Sequence, residues 1–338
     1  MMRLPWFEHR SPKTLEEAAR VLAGEGPAAM LVAGGTDLLP NMKRRQQTPA
    51  TLVSLRHVEE LQRIANGSGL RLGAGLTLSR VAAEPKVRAA YTALSQAAVQ
   101  VATPHLRNMG TLGGNLCLDT RCSYYNQSYE WRKAIDFCMK RDGETCWVAT
   151  ASKRCLAVTS TDTAPALMAL GASVRLVSAT GEREVALAGF YRNDGIDYMA
   201  RGADEIVAEI LLPAAAGWKS TYWKLRRRGS FDFPVLGVAA AVKLAADGTV
   251  EDARLVLGAV SSHPLAIKAA SLVGRKLTDD AITELAEAAQ SRAKPMDNTD
   301  LDLRWRKDVT AEYVRYALRE LRGDDMRETR LRTARQAV

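Results

Sequence analysis

Apolar residues recur at helical spacing through Leu15, Ala18, Ala19 and Leu22, behind Ser11-Pro12 and ahead of Gly24 and Gly26. A polar start, one apolar face and a glycine stop predict a helix. The apolar run 28–33 then reads as a strand that passes straight into Gly34-Gly35-Thr36-Asp37. A helical pattern through Leu38, Leu39 and Met42, followed by a second apolar run at 51–55, completes a strand, glycine turn, helix, strand unit. Asn66-Gly67-Ser68-Gly69, flanked by short apolar stretches, predicts a hairpin, and residues 85–101 predict one helix. A second glycine turn follows at Gly110-Thr111-Leu112-Gly113-Gly114-Asn115. Between Cys117 and Cys155 neither period persists, and the mixture of polar, aromatic and cysteine residues has the texture of an irregular, ligand-holding loop. Beyond it the pattern predicts a helix over 162–172, strands over 173–177 and 205–212, and a linker at 214–219. Three strands at 221–226, 235–244 and 253–260 and helices at 264–273, 279–289 and 303–322 complete the chain.

The expected fold is therefore α/β (α+β). It divides into a first subdomain over 1–55, a second over 56–215 carrying the irregular segment 117–157, a C-terminal sheet-plus-helices domain over 219–322, and a basic tail over 323–338. The 338 residues, 47% hydrophobic and 25% charged, suit a folded protein of more than one unit and not a disordered one. The net charge of +9 is spread in small clusters at 43–45, 226–228 and 304–307 and in an Arg-rich stretch over 315–335, and no aromatic-interleaved basic stripe runs along the chain. That distribution predicts a solvated surface and a frayed basic terminus, with a docking face for an acidic partner second and no nucleic acid. Arg3, Glu8, His9 and Arg10 interrupt the start of the chain, so no secretory h-region is read there and a cytoplasmic protein is expected. The longest near-apolar stretch, 233–246, contains Lys243 and falls short of the roughly 20 residues a membrane span needs, so no membrane association is expected.

Each Gly-Gly pair removes side chains where a phosphate could approach backbone N–H groups, and each neighbouring threonine adds a hydroxyl donor. Either turn alone would serve equally well for chain reversal. Neither G-x-G-x-x-G nor G-x-x-x-x-G-K-S/T occurs, which removes support for a Rossmann nicotinamide site and for nucleoside triphosphate hydrolysis. His9, His57, His105 and His263 are scattered and no G-x-S-x-G elbow exists, so no catalytic residue is assigned on this chain. All five cysteines, at 117, 122, 138, 146 and 155, fall within the irregular segment. In a reducing compartment metal ligation is the first reading of such a cluster. Four thiolates can hold an iron–sulfur cubane or a structural zinc, although the C-x-x-C pairs usual for zinc are missing.

Ala33-Gly34-Gly35-Thr36-Asp37-Leu38 together with Arg107-Asn108-Met109-Gly110-Thr111-Leu112-Gly113-Gly114-Asn115 closely resembles the paired FAD motifs of the flavin-binding medium subunits of molybdenum hydroxylases, a family that includes carbon monoxide and xanthine dehydrogenases. Thr161-Asp162-Thr163-Ala164-Pro165-Ala166-Leu167 resembles the family's Ser-Asp-x-x-Pro-Ala-Leu, and Tyr222-Trp223-Lys224 stands where the family places a lysine near the flavin. The resemblance runs from about residue 4 to about 320. It implies a two-subdomain FAD-binding fold followed by the C-terminal domain, with FAD held by Leu31, Val32, Ala33, Gly34, Gly35, Thr36, Asp37, Leu38, Thr111, Gly113, Gly114, Asn115, Asp162, Ile206 and Lys224. It also implies a molybdopterin-binding large subunit and a 2Fe-2S small subunit as partners, assembled as a dimer of heterotrimers.

Asn115 and Asp162 are 47 positions apart, where most members of the family have a short connection. The extra segment, with Leu116-Cys117-Leu118-Asp119-Thr120-Arg121-Cys122 and Tyr125-Asn126-Gln127-Ser128, resembles the β subunits of 4-hydroxybenzoyl-CoA reductases. That resemblance implies a 4Fe-4S cluster on Cys122, Cys138, Cys146 and Cys155, with Cys117 left as a small residue beside the flavin turn. Tyr124, Tyr125, Tyr129, Trp131, Phe137 and Trp147 would shield the cluster or form a plain local core. The implied function is electron transfer from a ferredoxin-like donor through 4Fe-4S and FAD to 2Fe-2S and molybdenum, for reductive dehydroxylation of 4-hydroxybenzoyl-CoA to benzoyl-CoA. Two alternatives stand beside it: the same subunit in an oxidative aromatic or heterocycle hydroxylase or dehydrogenase, and a stand-alone zinc-stabilised FAD-binding protein.

Overall fold

The computed structural model describes residues 3–229 and 231–335. The first unit is a three-stranded parallel sheet of β1 (Glu8–Arg10), β2 (Ala29–Val32) and β3 (Thr51–Ser54), in the order β1-β3-β2. Parallel neighbours need crossovers. The Leu15–Glu25 helix supplies the first, capped by Thr14, whose hydroxyl accepts from the Glu17 N–H, and it buries the four apolar residues that predicted it. The Leu38–Lys43 helix supplies the second. All four residues of β2 are only half-buried, because β2 faces an open cavity.

The second unit is an antiparallel sheet of β4 (Ile64–Asn66), β5 (Leu70–Gly73), β6 (Ser173–Ser178), β7 (Gly181–Ala186) and β8 (Ile206–Leu212), in the order β4-β5-β8-β6-β7. The hairpin at 66–69 joins β4 to β5 as predicted. The single helix predicted over 85–101 is instead two, Pro85–Ala90 and Thr92–Gln100, broken at Tyr91. Tertiary contacts make the break: the Tyr91 hydroxyl donates to the Pro213 carbonyl at 2.8 Å, and the Ser220 hydroxyl accepts from the Ala93 N–H at 3.1 Å.

The third sheet, β9 (Trp218–Leu225), β10 (Leu236–Leu244), β11 (Val250–Gly258) and β12 (Leu265–Ile267), is antiparallel in the order β12-β11-β10-β9. Successive strand residues point to opposite faces. Tyr222, Ala239, Ala241 and Val256 join the core of the second unit, whereas Trp223, Val238, Ala240, Val242 and Leu257 join a separate core under the Asp279–Arg292 and Leu303–Arg322 helices. Burial on both faces explains why β10 reads as a continuous apolar run. The helix predicted at 264–273 is replaced by β12 and a single tight turn, since Leu265 and Ile267 pair with Leu257 and Leu255.

The basic tail is not simply frayed: it carries a helix, Arg327–Arg335. Its Arg330 pairs with Glu320, donates to the Thr221 hydroxyl at 2.7 Å and lies 4.1 Å over the Trp223 ring. Residues 336–338 of that tail lie outside the described residues. Among the described residues no helix is long and apolar enough to cross a membrane.

Candidate functional site

A cavity of about 580 Å³ opens between the first two units, and both glycine turns line it. Of the residues predicted for the cofactor, Leu31, Val32, Ala33, Gly34, Gly35, Thr36, Asp37, Leu38, Thr111, Gly113, Gly114, Asn115, Asp162 and Ile206 are in its wall and Lys224 is not.

The first turn leaves β2 with Gly35 at φ +68°, a conformation that favours glycine. Gly34 is bare for a different reason from the one the motif suggests: a Cβ there would stand 1.9 Å from the Met109 carbonyl oxygen, so its smallness admits the second turn rather than a ligand. Among the described residues, the N–H groups of Gly35, Thr36 and Asp37 have no protein acceptor. In the second turn the N–H groups from Leu112 to Asn115 are all bonded to the protein. Leu112 N–H donates to Leu76 at 2.9 Å, Gly113 N–H to Ala74 at 2.8 Å, Gly114 N–H to the Thr111 hydroxyl at 3.1 Å, and Asn115 N–H to Thr111 at 2.9 Å.

Behind the second turn, the Asn115 side-chain oxygen accepts from the hydroxyls of Thr161 at 2.8 Å and Thr163 at 2.6 Å, which locks the two halves of the chain on either side of the cysteine segment. Asp162 accepts from the Tyr222 hydroxyl at 2.8 Å and from Lys224 Nζ at 2.9 Å, and Lys224 also donates to the Gln100 carbonyl at 2.9 Å. Burial raises the Asp162 pKa and lowers that of Lys224, and each charge opposes the shift of the other. Lys224, expected near the flavin, therefore sits behind the wall and holds Asp162 in place.

Among the wall residues the sequence reading missed are Tyr198, Arg201, Arg228, Phe231, Asp232 and Phe233. Only the basic cluster at 226–228 marked any of them, and it carried no spacing signal. Arg228 pairs with Asp232 at 3.0 Å and lies 4.8 Å over Phe231.

The cysteine segment docks on the first unit. Arg121, buried and adjacent to Cys122, pairs with Asp37 of the first turn, donates to Asn41 at 3.0 Å and lies 5.2 Å from the Phe233 ring. Cys122, Cys138, Cys146 and Cys155 are all buried, and three of them pack with Tyr125 and Ala157 into one small core. Burial pushes the Cys122 thiol up to about 12, and the nearby Cys155 and Cys138 add to it. Cys155 is pushed up to about 11 by burial and by Cys146 and Cys138, against the pull of Lys140. These are thiols that water does not stabilise as thiolates, and a bound cation would do so. All five cysteines are free, and among the described residues no group of three or more His, Cys, Asp or Glu stands in an arrangement that could hold one metal ion. Cys117 lies in the wall of the larger cavity, apart from the other four.

Residues 6–215 match the family described as the FAD binding domain in molybdopterin dehydrogenase, and residues 220–321 match the CO dehydrogenase flavoprotein C-terminal domain. The chain is 33% identical over 275 residues to the aldehyde oxidoreductase FAD-binding subunit of Escherichia coli (strain K12), covering 78% of this chain and 84% of that one. It is 31% identical to the nicotinate dehydrogenase FAD-subunit of Eubacterium barkeri, covering 80% and 81%. The carbon monoxide dehydrogenase structure from Hydrogenophaga pseudoflava superposes with a TM-score of 0.76 at 28% identity, over 94% of this chain and 97% of that one. With both domain matches in chain order along one fold, the chain belongs to the FAD-binding medium subunits of the molybdenum hydroxylase family and has the fold of the carbon monoxide dehydrogenase medium chain.

Proposed function

We propose that this chain is the FAD- and iron–sulfur-bearing electron-transfer subunit of a molybdenum-containing oxidoreductase, with substrate chemistry on a molybdopterin-binding large subunit and 2Fe-2S clusters on a small one, the whole a dimer of heterotrimers. The observation that carries the flavin site is the run of unpaired N–H groups at Gly35, Thr36 and Asp37 in the wall of a cavity of ligand size. Those three groups would bind the pyrophosphate. Ile206 and Leu31 would give apolar contact, and Asp162, fixed by Lys224 and Tyr222, would present its remaining lone pairs. Bound flavin supplies the exchange of one or two electrons. The donor set of Cys122, Cys138, Cys146 and Cys155, four thiols buried in one segment, suits a 4Fe-4S cluster shielded from water by Tyr125.

For the complex as a whole, the aldehyde oxidoreductase, nicotinate dehydrogenase and carbon monoxide dehydrogenase relatives favour oxidation of an aldehyde or aromatic heterocycle, with electrons leaving through this subunit. A second reading, reductive dehydroxylation of 4-hydroxybenzoyl-CoA with a ferredoxin-like donor, is favoured by the cysteine segment between Asn115 and Asp162. The test is anaerobic purification of the complex, analysis of flavin, iron and acid-labile sulfide, and turnover with aldehydes and N-heterocycles against 4-hydroxybenzoyl-CoA plus a low-potential reductant. Flavin, iron and sulfide together, with iron lost on Cys→Ser change at 122, 138, 146 or 155 and kept at 117, are the expected result. Zinc without labile sulfide would overturn the cluster, and the substrate turned over decides the direction.

A further inference from the structure

Between Cys138 and Cys146 the chain makes a tight turn: the Arg141 N–H donates to the Cys138 carbonyl at 2.8 Å and the Gly143 N–H to the same oxygen at 3.1 Å. The turn sends Lys140 inward, where its side chain is 7% exposed. All three ammonium hydrogens are used, on Asp119 at 2.8 Å, the Thr120 hydroxyl at 2.7 Å and the Gly195 carbonyl at 2.6 Å. The ammonium also stands 5.0 Å from the Tyr125 ring centre and 5.5 Å from that of Tyr198. A lysine so placed gives up most of its hydration, and three protein oxygens take the place of the lost waters.

Its partners belong to two different places. Gly195 touches the cysteine pocket: its N–H donates to the Cys155 carbonyl at 2.9 Å, and a Cβ on it would stand 2.6 Å from Cys155 Sγ. Tyr125 packs with Cys122, Cys138 and Cys155 and donates its hydroxyl to Asp119 at 3.1 Å. Asp119 and Tyr198, in contrast, are in the wall of the flavin cavity. Lys140 is thus one residue from a cysteine sulfur on one side and one residue from the cavity on the other. The Lys140–Asp119 pair forms a buried dipole with its positive end toward Cys155 and its negative end in the cavity wall.

We propose that Lys140 is the positioning residue between the two redox sites: its fixed positive charge favours the reduced cluster, and its grip on Asp119 fixes the cavity wall that faces it. The inference rests on the reading of the cysteine pocket as an iron–sulfur site. A cluster gains one negative charge on reduction, and a desolvated cation beside it, unscreened by salt, stabilises that form and raises the potential. A merely structural lysine would hold the loop but leave the potential where it was.

The test uses the full chain, purified anaerobically as wild type, Lys140→Arg, Lys140→Met and the double variant Lys140→Met/Asp119→Leu, which removes the dipole without stranding a buried carboxylate. Iron, labile sulfide and flavin are measured first, then the midpoint potential of the reduced cluster's paramagnetic resonance signal at one pH. The expected result is a more negative midpoint in both methionine variants, with the arginine variant close to wild type. A loaded methionine variant with an unmoved midpoint overturns the proposal while leaving the cluster in place. A double variant that folds but no longer holds iron assigns Lys140 a structural role and overturns it too. Wild-type protein without iron and sulfide overturns the reading of the pocket, and this proposal with it.

Discussion

At the first glycine turn the N–H groups of Gly35, Thr36 and Asp37 have no protein acceptor among the described residues, whereas at the second every N–H from Leu112 to Asn115 is bound to the protein. The two turns share a Gly-Gly pair and a threonine, and as sequence they look interchangeable. Hydrogen-bond accounting separates them: one turn leaves three amide donors without a protein partner, and the other uses its own to fasten the turn to Ala74 and Leu76 of the second unit. A glycine pair marks a close approach, but what approaches differs. At Gly34 it is the Met109 carbonyl and at Gly113 the Ala74 side chain, so both are packing glycines, and what sets the first turn apart is its three unpaired amides.

The strongest way to break the fold-bearing side is to remove the cation behind it. Lys224→Met leaves the Asp162 carboxylate buried and uncompensated, and urea denaturation of the flavin-free chain should show a loss of about 3–5 kcal/mol. Lys224→Met/Asp162→Asn should recover most of it. Next in size is Gly34→Ala, whose Cβ meets the Met109 carbonyl oxygen. Overpacking of this kind costs about 1–3 kcal/mol. Because the collision is between the turns, the loss should show equally in melting curves with and without FAD. Thr111→Ala removes the acceptor of the Gly114 N–H and should cost about 1 kcal/mol. It sharpens the contrast if FAD titration by calorimetry gives an unchanged affinity, and blurs it if affinity falls together with stability.

The smallest effect is a pH dependence. Glu209 lies next to Ala208, whose carbonyl receives the Ala74 N–H at 2.9 Å beneath the second turn. Burial raises the Glu209 pKa, but hydrogen bonds from Arg71 and Arg175 outweigh it and the net shift is downward. A depressed folded-state pKa gives stability that is full above the ordinary glutamate range and is lost as pH falls through the folded value. Glu209→Gln should therefore flatten the acid limb of a stability-against-pH curve, while flavin affinity near neutrality stays as it was.

Much of the site was legible because its signals are local. The strand, turn and helix around Gly34 and the hairpin at 66–69 each announce themselves within a short window, and the five cysteines fall inside one stretch, 117–155. What was not legible depends on distant partners. Nothing near Tyr91 shows that Pro213 and Ser220 will break its helix. The edge strand β7 has exposed polar residues on both faces, so it carries no period-2 signal. Lys224 alternates with Trp223 along β9, and only the packing of the third sheet on the second unit turns it inward toward Asp162. Arg228, Phe231, Asp232 and Phe233 reach the cavity from beyond a strand end far along the chain, with no motif to mark them.

The helix Arg327–Arg335 has a consequence for the order of assembly. Arg330 covers β9, the first strand of the C-terminal domain, from 109 residues further along the chain. Until that contact closes, Trp223 lacks its cationic cover, and Glu320 has the Thr221 and Trp223 donors but not its arginine. Long-range closure carries its entropy cost before the contact rewards it, so the edge strand of the third sheet is sealed late in folding.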